Sequence, residues 1–114
     1  MLGYPAIAKD IFMLSKESRS YDTTHLVEMF TKYSTDEFVT ENTPPTFIME
    51  TDDDTTTWAE HSVRYYLALR KCGVSGELHI FKQGKHGYGL GNTRKQVYQW
   101  QQLFVKWLEV LDNN

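Results

Sequence analysis

A chain of 114 residues, 40% hydrophobic and 14% aromatic, can form one small packed domain and is too apolar to stay disordered. A net charge of −3, with no basic cluster longer than Arg70-Lys71, argues against a nucleic-acid partner. No run is apolar enough to span a membrane, Met1–Pro5 has no signal-peptide character, and one cysteine excludes an internal disulfide, so a cytoplasmic, membrane-free chain is expected.

Leu2 to Ile7 is apolar and broken by Pro5, which predicts the remnant of a strand over residues 1–8. Residues 9–45 form a mixed connecting stretch, in which Thr24 can cap a short helix striped by Leu26, Val27, Phe30 and Tyr33. Pro44-Pro45 ends that stretch, because two prolines remove two donors and bias the preceding residues to extended chain.

Thr46-Phe47-Ile48-Met49-Glu50 is a continuous run of the kind found in strands buried on both faces. A polar loop, Thr51–Thr57, separates it from a helix expected from about Trp58 to Cys72, with Ala59, Ser62, Val63, Tyr66, Leu67 and Leu69 inward and Gly73 as the stop. Cys72 on that helix reads as a small apolar residue. Leu78 to Phe81 alternates with a period of two and forms the next strand. Strand, helix and strand over 46–82 have the length of a right-handed parallel crossover. The last helix carries Val97, Trp100, Phe104, Trp107, Leu108 and Leu111 at steps of three and four, with Thr93 and Gln96 at capping-box spacing. The expected fold class is therefore α/β, with about three parallel strands and helices packed on them.

Two polar loops leave the strands at the same end. Thr51–Thr57 holds Asp52, Asp53 and Asp54; Gly84-Lys85-His86-Gly87-Tyr88-Gly89-Leu90 holds a histidine among glycines that permit tight turns. Ligands of open parallel sheets bind outside the C-terminal strand ends, and neighbouring strands lie ~5 Å apart, so a carboxylate on one loop can reach an imidazole on the other. Such a pair is two-thirds of a Ser-His-Asp machine, with the acid preceding the histidine as in α/β hydrolases. The plainer roles are a solvated loop for His86 and a dipole-stabilising helix flank for Asp52–Asp54. Three consecutive aspartates lack calcium-loop spacing and no Asp/His set has zinc spacing, so no metal or other cofactor is expected.

Four stretches, in order, resemble the C-terminal half of an α/β-hydrolase-fold serine esterase. They are Leu2-Gly3-Tyr4-Pro5, Thr43-Pro44-Pro45-Thr46-Phe47-Ile48, the Asp53-Asp54 loop with the helix through Tyr66–Gly73, and Glu77–Phe81 with Gly84–Leu90. The likeness is to acetyl-ester and acetylxylan-type carboxylesterases. It implies a partial α/β-hydrolase fold over the whole chain, with residues 9–45 corresponding to the lid-like connection and 46–114 to strand–helix–strand–helix. It also implies catalytic roles: His86 as general base and Asp54 as the acid that orients it. The family's acid stands three residues before a valine-proline pair; here Thr57-Trp58 replaces that pair, so Asp53 remains the alternative acid.

The chain contains no Gly-x-Ser-x-Gly and no His-Gly-Gly, hence neither a nucleophile elbow nor the usual oxyanion donors. Ser15, Ser18 and Ser20 lie in the connection and Ser75 precedes a strand, so none reads as the nucleophile. The chain by itself is expected to lack esterase activity. An apolar sheet edge without its neighbour predicts a homo-oligomer or a complementary N-terminal half as partner, with a small ester as the substrate of the intact enzyme. A non-catalytic interaction domain and one half of a split esterase are the alternatives.

Overall fold

The computed structural model describes residues 1–3, 32 and 34–113. Three strands form one parallel sheet: β1 (Leu2–Gly3), β2 (Thr46–Thr51) and β3 (Gly76–Phe81), in the order β1-β2-β3. Helix α1 (Ala59–Lys71) joins β2 to β3, and α2 (Trp100–Asp112) closes the chain. The expected remainder of the first strand, the helix expected near residues 24–33 and the three serines of the connection lie outside the described residues.

β2 is the middle strand, and all six of its residues are buried. That is why its sequence is a run rather than an alternation: helices cover both faces of a parallel sheet. Phe47 and Met49 point to one face, where Phe81 and Val97 join them and Trp100, Leu103, Phe104 and Trp107 of α2 close over the cluster. Phe47 sits 5.4 Å from the Phe104 ring and 5.8 Å from Trp107, centroid to centroid. Ile48 and Glu50 point to the opposite face, toward α1. The two helices thus sandwich the sheet. Burying a ring of this size contributes about 2–3 kcal/mol.

On the α1 side, Gly76 lets the helix approach. A Cβ there would lie 2.9 Å from Leu69 Cδ1 and 3.4 Å from the Tyr66 ring. β3 begins at Gly76, two residues earlier than alternation indicates, because Gly76 and Glu77 pair in register with Thr46 and Phe47. The inward face of α1 is carried by His61, Ser62 and Leu69, while Val63 and Leu67 are exposed. Ser62 and Leu69 are inward as expected, whereas Val63 and Leu67 are not and His61 takes a buried place on the stripe. The stop at Gly73 is as expected: φ is 72°, Gly73 N–H donates to Arg70 O (3.1 Å) and Val74 N–H to Leu69 O (2.9 Å), a Schellman ending.

The start of α2 differs from the expected capping box. A 3-10 turn over Gln96–Gln99 precedes the helix, Lys95 stands at its N-cap, and no side chain caps it. Asn92 takes the local bonds instead, its Oδ1 accepting Arg94 N–H (2.9 Å) and its carbonyl Lys95 N–H (2.8 Å). This Asx-type turn competes with helical pairing for the same backbone groups.

Candidate active site

The site grows from the C-terminal ends of β2 and β3. Asp52 N–H donates to Phe81 O (2.8 Å), so the ladder runs one residue past Thr51 before the chain turns. Asp54 then folds back into the turn it belongs to. Its Oδ1 accepts the N–H groups of Thr56 and Thr57, each at 2.8 Å, which satisfies donors just ahead of α1. Its Oδ2 lies 2.9 Å from His86 Nδ1. The Asp54 side chain is fully buried, whereas His86 is 40% exposed. A buried carboxylate on Nδ1 selects the Nδ1–H tautomer, which makes Nε2 the basic nitrogen.

The histidine loop is clamped just before His86. Asp53 Oδ1 accepts the N–H groups of Gly84 and Lys85, each at 2.8 Å. Thr51 Oγ1 donates to Lys85 O at 3.2 Å. Lys85 is held at φ 61°, a left-handed conformation in which a β-carbon is strained, so these bonds over-determine it. Gly84 is required there, since a Cβ would lie 2.5 Å from Thr51 Cγ2. The Lys85 and Gly84 amides hold the Asp53 carboxyl below its ordinary 3.8. From the far side α2 ties the loop down: Trp100 Nε1 donates to Gly89 O (3.1 Å) and Gln101 Nε2 to Leu90 O (2.8 Å).

The neighbouring aspartates therefore do different work. Asp54 meets the imidazole, and Asp53 joins the two loops. Asp52 reaches neither and is exposed. A fourth acidic group, Glu50, figures in the sequence reading only as a strand residue. It is completely buried on β2; burial first, and the Asp54 charge next, push its pKa up to about 8. The available signal was a glutamate inside a strand otherwise buried on both faces.

Ser75 sits before β3, where its carbonyl accepts Thr46 N–H (3.0 Å), at the end of the sheet opposite Asp54 and His86. Ser34 donates to Asp36 (2.7 Å) and Ser62 is buried against the sheet. Among the described residues, no three His, Cys, Asp or Glu side chains converge as a metal site requires. Beside Asp54 a cavity of about 520 Å³ is lined by Asp52, Thr55, Trp58, Glu60, Val63 and Ile80. Among the described residues no helix is long and apolar enough to cross a membrane.

The chain matches a family model for the prolyl oligopeptidase family over residues 7–112. The chain belongs to that family. Its fold is that of the α/β hydrolases. An acetyl ester-xyloside bifunctional hydrolase from Caldicellulosiruptor lactoaceticus is 35% identical, with TM-score 0.76, over 97% of this chain and 42% of that one. A sugar hydrolase from Lactococcus lactis is 29% identical, with TM-score 0.80, over 99% of this chain and 48% of that one. Endo-1,4-beta-xylanase B of Butyrivibrio fibrisolvens is 29% identical over 93 residues, 81% of this chain and 15% of that protein. The chain thus spans less than half the length of each of these relatives. The family resemblance is to esterases and related hydrolases.

Proposed function

We propose that the chain, as a single unit over residues 1–114, supplies the acid and histidine of a serine carboxylic ester hydrolase. The observation that supports this most is the 2.9 Å contact of buried Asp54 Oδ2 with His86 Nδ1 on loops at the C-terminal sheet edge. In that reaction His86 Nε2 takes the proton of a serine hydroxyl as the oxygen attacks the ester carbonyl, then returns one to the departing alcohol. Asp54 fixes the tautomer and stabilises the imidazolium. A short acyl group, acetyl above all, on a carbohydrate alcohol is the substrate class favoured by the likeness to the acetyl ester-xyloside hydrolase.

The serine is not among these 114 residues as a Gly-x-Ser-x-Gly motif. The chain alone is accordingly inactive, and activity requires a polypeptide that brings the nucleophile, either covalently joined or as a complementary half. Fluorophosphonate labelling and hydrolysis of an activated acetate ester test this. The isolated chain is expected to be unlabelled and inactive. Fused behind the nucleophile-bearing half of a related esterase it is expected to hydrolyse the ester, with a loss of about 10⁴-fold or more on His86→Ala. Turnover by the fusion that survives His86→Ala would refute the assignment.

A second, non-catalytic reading is a homo-oligomerising interaction domain. It is favoured by the exposed apolar side chains of α2, Val105, Leu108 and Val110. Light scattering separates the two, since a monodisperse monomer at high concentration excludes the homo-oligomer.

A further inference from the structure

Asp54 has room for one more donor. An ionised carboxylate offers about four acceptor sites. Thr56 and Thr57 N–H take two on Oδ1, and the His86 imidazole takes one on Oδ2. On the strand leading into this loop, Glu50 is wholly excluded from solvent. Its Oε1 accepts Thr51 N–H at 2.9 Å, and its Oε2 is buried with no hydrogen-bond partner among the described residues. The side chains that bear on this carboxyl among the described residues are Asp54 and the buried Ser62 hydroxyl of α1. α1 also buries His61, one position before Ser62, and His86 lies beyond Asp54. β3 sets apolar Ile80 opposite Glu50 in the register. Among the described residues no lysine or arginine bears on this carboxyl. A carboxyl buried beside a carboxylate, with no cation to balance it, keeps its proton.

We infer that Glu50 is a positioning residue for the acid–histidine pair: its protonated carboxyl donates to Asp54 and holds that carboxylate turned toward His86. Glu50 takes this role only if Asp54 and His86 are the acid–base pair proposed above. The proton on Glu50 is not transferred in the ester reaction; it fills the last acceptor site of Asp54 and fixes the carboxylate's orientation. The upward shift of Glu50 to about 8 agrees with a neutral carboxyl at neutral pH. Ionisation above that pH removes the donated proton and sets a second negative charge beside Asp54. The pair is thereby coupled to a group that touches neither substrate nor imidazole.

The test is a pH titration of the full 114-residue chain by NMR, with isotope-labelled glutamate carboxyls and histidine rings, on wild type, Glu50→Gln and Glu50→Ala. In wild type the Glu50 carboxyl is expected to show its inflection near pH 8, and the hydrogen-bonded Nδ1–H signal of His86 to shift with it. Glu50→Gln still offers a donor, so it is expected to abolish that inflection and keep the hydrogen-bonded Nδ1–H signal of His86. Glu50→Ala is expected to lose both. Superimposable His86 curves in wild type and Glu50→Gln, or a Glu50 that titrates in the ordinary carboxylate range, would overturn the proposal. If the glutamine variant does not fold, the wild-type chain decides: a shared inflection supports the coupling, and separate ones refute it. These signals do not depend on ester turnover, so an inactive fusion enzyme would refute the proposed function while leaving the Glu50 coupling measurable.

Discussion

Asp53 and Lys85 are tied side chain to backbone across 32 residues of sequence: Asp53 Oδ1 accepts Lys85 N–H at 2.8 Å, directly before His86. Gly84 N–H shares the same oxygen. This contact, rather than Asp54 alone, sets where the histidine loop begins.

Asp53→Ala is expected to lower stability by on the order of 1 kcal/mol, a modest figure because the carboxyl is partly solvated, and Asp53→Asn by less, since it keeps an acceptor. Denaturant titration measures the difference, and hydrogen exchange at the Gly84 and Lys85 amides should quicken in the alanine variant alone. The carboxyl is held below its ordinary 3.8, so its stabilising contribution is present above that pH and is lost as pH falls through the folded-state value. Asp53→Asn should remove that part of the acid sensitivity.

Gly84→Ala places a Cβ 2.5 Å from Thr51 Cγ2 and 3.3 Å from Val97 Cγ2. The expected cost is about 1–3 kcal/mol, as for other overpacked sites. Thr51→Ser removes the nearer methyl and keeps the hydroxyl that bonds Lys85 O. The double variant should therefore recover part of the loss, which a double-mutant cycle on denaturation midpoints would reveal.

Glu50 gives stability a pH dependence of the opposite sign to Asp53. Its folded pKa is about 8 against an ordinary 4.5, so between those values the folded chain holds a proton that the unfolded chain has lost. Stability should fall as pH rises through that window, by up to about 1.4 kcal/mol per pH unit, and level off above it. Glu50→Gln should flatten this part of the profile in denaturation measured from pH 5 to pH 9.

Gly73→Ala should cost about 1 kcal/mol through backbone conformation alone. Gly73 has φ 72°, and nothing lies within 4 Å of a Cβ built there. A thermal melt that shifts little for Gly73→Asn and more for Gly73→Ala would separate left-handed strain from lost contacts, because asparagine tolerates that conformation better.

The strand, helix and strand of 46–81, the glycine stop at Gly73 and the meeting of the Asp54 and His86 loops are all legible in the sequence. Each follows from chemistry confined to a few residues: a buried run, a residue that tolerates φ > 0, and the rule that parallel strands send their polar loops to one end. The capping box expected from Thr93 and Gln96 does not form, because the chain turns on Asn92, which accepts the Arg94 and Lys95 amides. Val63 and Leu67 were assigned inward although the stripe that packs on the sheet runs through His61, Ser62 and Leu69.

By itself the sequence determined the periodicities and breaks that yield an α/β chain with acid and histidine on neighbouring loops. Only the tertiary structure decided which aspartate meets the imidazole and which ties the loops, and that Glu50 lies dry behind them. Adjacent residues of one type are equivalent to any local rule. What distinguishes them is a partner 31 or 32 positions away and the solvent each one loses when the sheet and helices close.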